Sequence, residues 1–274
     1  MRNWVIDLDG VMWRGKRTIP GSVEAIGDLL DSGDRVIFCT NNSAESGASR
    51  EKALADRGVP DGCSVVTSAD AVATQVQPQE RVLYLGGTGL GEAIADRGCV
   101  AVSVADLASQ ASDSTAGQTL AEGFDAVIIG LTRQFNYQVL DIAAAAARSG
   151  ARLLASNTDS SFPGADGIHP GCGALVSAVE TASGATAVSA GKPHQPMVDL
   201  ILGQVDSNSE ATSASPTDSI VIGDRPETDG ALAQSLGWSF GLVLSGVTTR
   251  DDLPVEVPLA YLGENLAEIV DQID

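Results

Sequence analysis

The chain is short of the residues on which several classes of function depend. Lys16, Lys52 and Lys192 are its only lysines, and 36 aspartates and glutamates bring the net charge to −20. A phosphate backbone is bound by clustered cations, so this balance argues against nucleic acid as a partner. The four cysteines, Cys39, Cys63, Cys99 and Cys172, are far apart in sequence. That spacing leaves no CxxC knuckle or redox pair, and no disulfide framework is expected. His169 and His194 are the only histidines, too few for a histidine-rich metal site. Any metal would therefore take oxygen ligands, which favours a hard cation. No apolar run approaches the roughly 18–20 residues of a membrane span. Met1-Arg2-Asn3-Trp4 runs into a strand-like segment without an apolar signal region. A soluble, cytoplasmic protein with no membrane partner is expected.

What is present is a core-forming pattern. Hydrophobic residues make up 43% of 274 positions, enough for one large domain or two modest ones. The opening alternates strand and helix: Asn3–Asp7, helix Ser22–Ser32, Arg35–Cys39, helix Ser46–Arg57, and Ser64–Thr67. Ser68 or Asp70 is placed to cap the helix that follows. A second alternating block reads as strand Arg81–Leu85, helix Gly91–Arg97, strand Cys99–Val104, a loop over 108–119, strand Asp125–Ile129, helix Phe135–Ser149 and strand Arg152–Ala155. The remainder reads as helix Gly171–Thr181, strand Thr186–Ala190, helix His194–Leu202, a polar surface loop over 206–217, strand Ser219–Ile222, helix Glu227–Leu236, strand Trp238–Leu244 and helix Glu264–Ile273. This order predicts an α/β fold with a doubly wound, Rossmann-like parallel sheet. No linker separates the blocks, which suggests that the middle one is inserted into the first domain.

Four polar clusters each follow an apolar strand: Asp7-Leu8-Asp9-Gly10, Thr40-Asn41-Asn42-Ser43, Gly191-Lys192-Pro193, and Gly223-Asp224 running to Asp229. The carboxyl ends of strands in an open parallel sheet share one edge, where ligands bind. Residues remote in sequence can thus converge there. Asp7 and Asp224 could share a hard cation such as Mg²⁺, which is usually held by one or two carboxylates with phosphate and water. Lys192 supplies a positive charge for a phosphate. Thr40 and Asn41 offer donors, and Asp9 is a second carboxylate for handling protons. Each cluster alone is ambiguous: DxDG also suits a turn or calcium loop, and TNNS a turn or helix cap. Their order and shared position after strands carry the weight.

These clusters match the four motifs of the haloacid dehalogenase superfamily of phosphohydrolases. DLDGVMWRG, CTNNS, VIIGLTRQFNY, SNTDSSFPG, GCGAL, SAGKP and GDRPETD resemble its NagD-like branch, which includes 4-nitrophenyl and phosphoglycolate phosphatases. The resemblance implies a catalytic core over 1–76 and 172–274 with an inserted α/β cap over 77–171. It implies Mg²⁺-dependent hydrolysis of small phosphomonoesters through an aspartyl-phosphate. Asp7 is then the nucleophile and Asp9 the general acid/base. Thr40, Asn41 and Lys192 bind phosphate, and Asp7, Asp224 and the backbone carbonyl of Asp9 hold the metal. Asp229 orients metal-bound water from a second shell. A small phosphorylated metabolite is the expected partner, with a homodimer implied by relatives that pair through the cap. Alternatives are a nucleotide monophosphatase or phosphotransferase of the same fold, or a catalytically silent regulatory protein that binds a phosphate ligand. The acid-rich, lysine-poor composition further resembles that of halophilic archaeal proteins, whose charges are screened at high salt.

Two features carry less. Gly86-Gly87-Thr88-Gly89-Leu90-Gly91 follows a strand, with Asp106 about 20 residues on, as in a dinucleotide fingerprint. Its third glycine is misplaced, since position 92 is Glu. In the cap, Arg133, Asn157 and Asp159 are candidate substrate contacts, or else solvated loop residues or helix caps. Arg14 and Arg225, beside the motifs, are placed to steer anions.

Overall fold

The computed structural model describes residues 1–110, 120–164, 167–207 and 219–273. Two parallel sheets organise them. The first has six strands in the order Tyr261–Gly263, Ser239–Val243, Ile220–Gly223, Asn3–Ile6, Arg35–Thr40, Ser64–Thr67. The second has five, in the order Val188–Ser189, Arg152–Ala155, Ala126–Ile129, Arg81–Leu85, Val100–Ser103. Asn3–Ile6 sits centrally, paired in parallel with Arg35–Thr40 on one side and Ile220–Gly223 on the other.

The strands are continuous apolar runs because both faces of each sheet are covered. Side chains alternate between faces. Trp4, Ile6, Val36, Phe38, Ile220 and Ile222 pack on one face of the first sheet. Val5, Ile37, Cys39 and Val221 pack on the other. The same alternation divides the second sheet: Leu83, Leu85, Val127 and Ile129 face outward onto the helix Tyr137–Arg148, while Val82, Ala126 and Ile128 face the first sheet's core. The middle core, extended by Met197, Val198 and Ile201, is thus shared by both sheets. Burying a side chain such as Ile37 or Leu90 contributes about 1.5–3 kcal/mol. The inserted block is therefore joined to the core by packing as well as by chain.

The expected doubly wound α/β architecture is present, with several local differences. The third-cluster strand, expected over Thr186–Ala190, is Val188–Ser189 and pairs with Leu154 and Ala155 of the second sheet. The helix before it, Cys172–Ser183, packs Cys172, Val176 and Val179 into that sheet's outer core. Residues 172–189 thus pack with the second sheet. Val104–Gln110 is helical where a loop was expected from 108, and 111–119 lie outside the described residues. The polar segment over 206–217 lies outside them too, except that Asp206 and Ser207 end the helix Gln195–Ser207. The helix expected at Gly91 begins at Thr88. The cap of Ser68–Ala73 is Thr67, with Asp70 returning the bond to its backbone. Pro226–Gly230 forms a π-turn ahead of the α-helix Ala231–Leu236. The hairpins Trp13–Arg14/Arg17–Thr18 and Ser161–Gly164/Gly167–Pro170 were not foreseen. Among the described residues no helix is long and apolar enough to cross a membrane.

The glycine-rich segment has a packing explanation. A Cβ on Gly87 would overlap the backbone of Ala44, and one on Gly89 the backbone of Glu45 and Ser46. The Gly89 N–H donates to the Ala44 carbonyl at 3.2 Å. The space that a dinucleotide's phosphates would need is filled by the loop after Thr40. These glycines let the two sheets approach each other.

Candidate active site

Asp7 directly follows the central strand, and its N–H extends the parallel pairing to the Ile222 carbonyl at 2.9 Å. Its side chain is buried, with Oδ1 accepting from Lys192 Nζ at 2.6 Å. The chain then turns at Gly10, whose φ of +94° suits glycine. A Cβ there would overlap the Asp224 carboxylate, so Gly10 also allows the first and fourth clusters to touch. Asp9 Oδ1 accepts from Trp13 Nε1 at 3.0 Å. The Trp13 ring is covered in turn by the Arg57 guanidinium, 4.6 Å from its centroid. One oxygen of Asp9 is thereby fixed while the residue lines the cavity.

Lys192 is buried with every proton engaged. Nζ donates to Asp7 Oδ1 at 2.6 Å, Asp229 Oδ1 at 2.7 Å and the Cys39 carbonyl at 3.1 Å. Burial alone would lower its pKa, but Asp229 and Asp7 outweigh that and raise it, so the ammonium stays charged. Asp229, expected in an outer shell, stands among the buried acids. Its Oδ2 accepts from the Arg225 N–H at 3.1 Å.

Asp224 follows the Ile220–Gly223 strand. Its Oδ2 accepts from the Val247 N–H at 2.6 Å, and its carbonyl accepts from Thr248 Oγ1 at 2.6 Å. Oδ1 is buried without a hydrogen-bond partner. Burial first, then the neighbouring Asp229, pushes its pKa up to about 7. Asp7 is likewise raised well above the usual carboxylate range by burial, against the pull of Lys192. Oxygens of Asp7, Asp224 and Asp229 lie within 4.8 Å of one another. When all three are ionised, a single ammonium among them leaves two negative charges uncompensated in a buried site. That excess and the unpartnered Asp224 oxygen fit a divalent cation with oxygen ligands.

Thr40 ends its strand, buried, with Oγ1 accepting from the Asn42 N–H at 3.0 Å. Asn41 is placed differently from the expectation that its amide meets phosphate. Its Oδ1 accepts from the Lys192 N–H at 2.8 Å. Its Nδ2 donates to the Lys192 carbonyl at 3.3 Å and to Asp159 Oδ1 at 3.0 Å. The amide is thus engaged with the Lys192 backbone and with Asp159.

The same loop joins the two sheets. Asn157 Nδ2 donates to the Asn41 carbonyl at 2.6 Å, Ser156 Oγ to Ser43 Oγ at 2.9 Å, and the Leu131 N–H to Ser43 Oγ at 3.1 Å. Asn157 is buried in this joint and is no solvated loop residue. Asp159 lines the cavity, and burial raises its pKa. Arg14 donates to the Gly246 carbonyl and Arg225 to the Ser161 carbonyl, so both brace loops around the site. Trp13, Ser43, Ser156 and Val247 were missed in the sequence. Only the Ser245-Gly246 pair before Val247 and the polar run around Ser43 mark their positions.

Asp7, Asp9, Thr40, Lys192, Asp224 and Asp229 are among the residues that line a cavity of about 280 Å³. A haloacid dehalogenase-like hydrolase family model matches residues 4–100, and a HAD-hydrolase-like model matches 189–269. A ribonucleotide monophosphatase, NagD, from Escherichia coli is 30% identical over 256 residues, covering 92% of this chain and 91% of the relative. The chain belongs to the haloacid dehalogenase superfamily. Within this superfamily it is NagD-like and a phosphomonoesterase. An acid sugar phosphatase from Staphylococcus saprophyticus is 29% identical over 276 residues, 99% of this chain and 97% of its own. Among solved structures, a glycerol phosphate phosphatase from Mycobacterium tuberculosis, in complex with magnesium, superposes with a TM-score of 0.79 at 28% identity. It covers 97% of this chain and 75% of that one.

Proposed function

We propose that the protein hydrolyses small phosphomonoesters with Mg²⁺, using Asp7 as the nucleophile. One observation carries this reading: a buried carboxylate at the end of the central strand, paired with Lys192 and set among acids whose charge is not balanced. Asp7, Asp224 and the backbone carbonyl of Asp9 would hold the cation, with Asp229 beside them. When bound, Mg²⁺ supplies charge neutralisation for the substrate phosphate and keeps the acids ionised. The magnesium complex of the glycerol phosphate phosphatase supports that choice of metal.

The chain's own groups then divide the work. Lys192 holds Asp7 Oδ1 in place and adds positive charge near the phosphate. Thr40 supplies a hydroxyl at the neighbouring strand end. The Asp7 carboxylate attacks phosphorus as the ester P–O bond breaks, giving an aspartyl-phosphate. Asp9 gives its proton to the departing oxygen. It then takes a proton from the water that attacks phosphorus, and Asp7 is released as a carboxylate. The Trp13 indole fixes one Asp9 oxygen, leaving the other free of that bond. Asn41 serves as a positioning residue, through the Lys192 backbone.

Phosphate release from 4-nitrophenyl phosphate, with and without Mg²⁺ in molar KCl, tests this reading. Release that needs the metal is expected. Equal release after chelation would rule out the metal's part.

A further inference from the structure

Asp9 is held by a residue from outside the cavity. Its Oδ1 accepts from Trp13 Nε1 at 3.0 Å. Trp13 is buried in the core and is not among the residues that line the cavity. The turn between the two sets their spacing: the Gly10 N–H donates to the Trp13 carbonyl at 2.7 Å, and the Met12 N–H to the Leu8 carbonyl at 2.9 Å. An indole N–H can only donate, so it takes Oδ1 as its acceptor and fixes the plane of the carboxyl group. The proton of a neutral Asp9 then sits on Oδ2.

The face of the indole carries Arg57, whose guanidinium carbon lies 4.6 Å from the ring centroid. Arg57 follows the helix Gly47–Ala55 and returns Nη1 to the Ala53 carbonyl at 2.7 Å. The chain has 36 acidic residues, yet Arg57 forms no ion pair among the described residues. The adjacent Asp56 is taken by Lys52 at 2.6 Å. Arg57 Nε is buried without a hydrogen-bond partner, a cost that the ring face offsets. A cation in that position draws electron density from the indole and strengthens its N–H as a donor.

Resting on the reading of Asp9 as the general acid, we propose that Trp13, backed by Arg57, is the positioning residue that orients Asp9 for proton delivery to the leaving group. In that step a bond forms between an Asp7 oxygen and phosphorus, and the ester P–O bond breaks. The departing oxygen keeps the electron pair and takes the Asp9 proton. The carboxylate left behind accepts a stronger, charge-assisted bond from the indole, so the pair favours the transfer.

The test uses two substrates of similar size whose leaving groups differ in their need for a proton. The 4-nitrophenolate of 4-nitrophenyl phosphate departs as a stable anion, whereas the alkoxide of benzyl phosphate needs protonation. With Mg²⁺ present, kcat/KM reports the steps up to the aspartyl-phosphate and leaves out the hydrolysis that both substrates share. Trp13→Phe keeps an aromatic ring for Arg57 and removes the N–H. It should lower the benzyl-to-nitrophenyl ratio of kcat/KM by about tenfold, a part of the roughly 10²–10⁴ that general acid–base catalysis supplies. Arg57→Gln should lower the ratio by roughly threefold, and Arg57→Lys, which keeps a cation for the ring, should restore part of it. A packing defect alone would lower both substrates by one factor and leave the ratio standing, which would overturn the inference. A ratio that moves in Trp13→Phe but not in Arg57→Gln would overturn the part given to Arg57. If Trp13→Phe does not fold, Arg57→Gln carries the test, and an unmoved ratio there would overturn the whole. Asp9→Asn should lower the ratio at least as far as Trp13→Phe. An unmoved ratio in Asp9→Asn would instead remove the general-acid reading, and this inference with it.

Discussion

Replacing Asn41 by alanine separates two roles that the sequence alone does not. If the amide positions Lys192, the substitution orphans the Lys192 N–H, which lies in a buried bond. An unsatisfied buried donor costs about 1–3 kcal/mol. The bond to Asp159 is charge-assisted, but Asp159 is half-buried, so water recovers part of its roughly 1.5–3 kcal/mol. Together these give a loss of about 2–4 kcal/mol in unfolding free energy. At about 2–4 °C per kcal/mol for a chain of this size, the melting temperature should fall by roughly 5–15 °C. The assay pairs denaturant unfolding with steady-state kinetics on 4-nitrophenyl phosphate. The positioning role predicts lower stability and lower kcat with KM little changed, because Lys192 loses its support while Thr40 remains. A protein of unaltered stability with only a higher KM would refute this and return Asn41 to direct phosphate binding.

Three further outcomes follow from the same geometry. Gly246→Ala should abolish the Mg²⁺-induced rise in melting temperature, because its Cβ would overlap the Asp224 carboxylate; an undiminished rise would mean that Asp224 holds no metal. Without metal, the raised folded-state pKa values of Asp224 and Asp7 mean that these acids favour the folded state only while protonated; the Asp224 contribution falls as pH climbs from the unfolded value near 4 through about 7, and that of Asp7 falls in the same direction. Stabilisation by Mg²⁺, which binds the ionised form, should therefore be larger at pH 8 than at pH 5, and calorimetry showing equal gains would contradict the assignment. Unfolding midpoints should rise between about 0.1 and 2 M KCl as the −20 charge is screened, and a flat response would remove the argument for a high-salt setting.

Much of the site could be read because its chemistry sits where strands end. Asp7, Thr40 and Asp224 each follow an apolar run, and parallel pairing of those runs brings them together without further information. Lys192 was found by its cluster, but its strand, expected beside the others in one sheet, belongs to the second sheet. Val188 and Ser189 carry no signal that selects Leu154 and Ala155 as partners. The glycines at 87 and 89 look like a phosphate turn because close approach to a phosphate and close approach to another backbone demand the same missing Cβ. Asn41 shows the same ambiguity in side-chain chemistry: an amide beside a phosphate site serves equally well as a ligand or as a clamp. The contact that favours the clamp, from residue 41 to 192, is remote in sequence.

The central claim is that Asp7 itself receives the phosphoryl group. Rapid acid quench of wild type and Asp7→Asn during turnover of a labelled phosphomonoester with Mg²⁺, followed by peptide mapping, tests it directly. A phosphoryl group on the peptide that contains Asp7, absent from the variant along with turnover, is the predicted result. Turnover that persists in Asp7→Asn, or a label carried by another residue, would contradict the account.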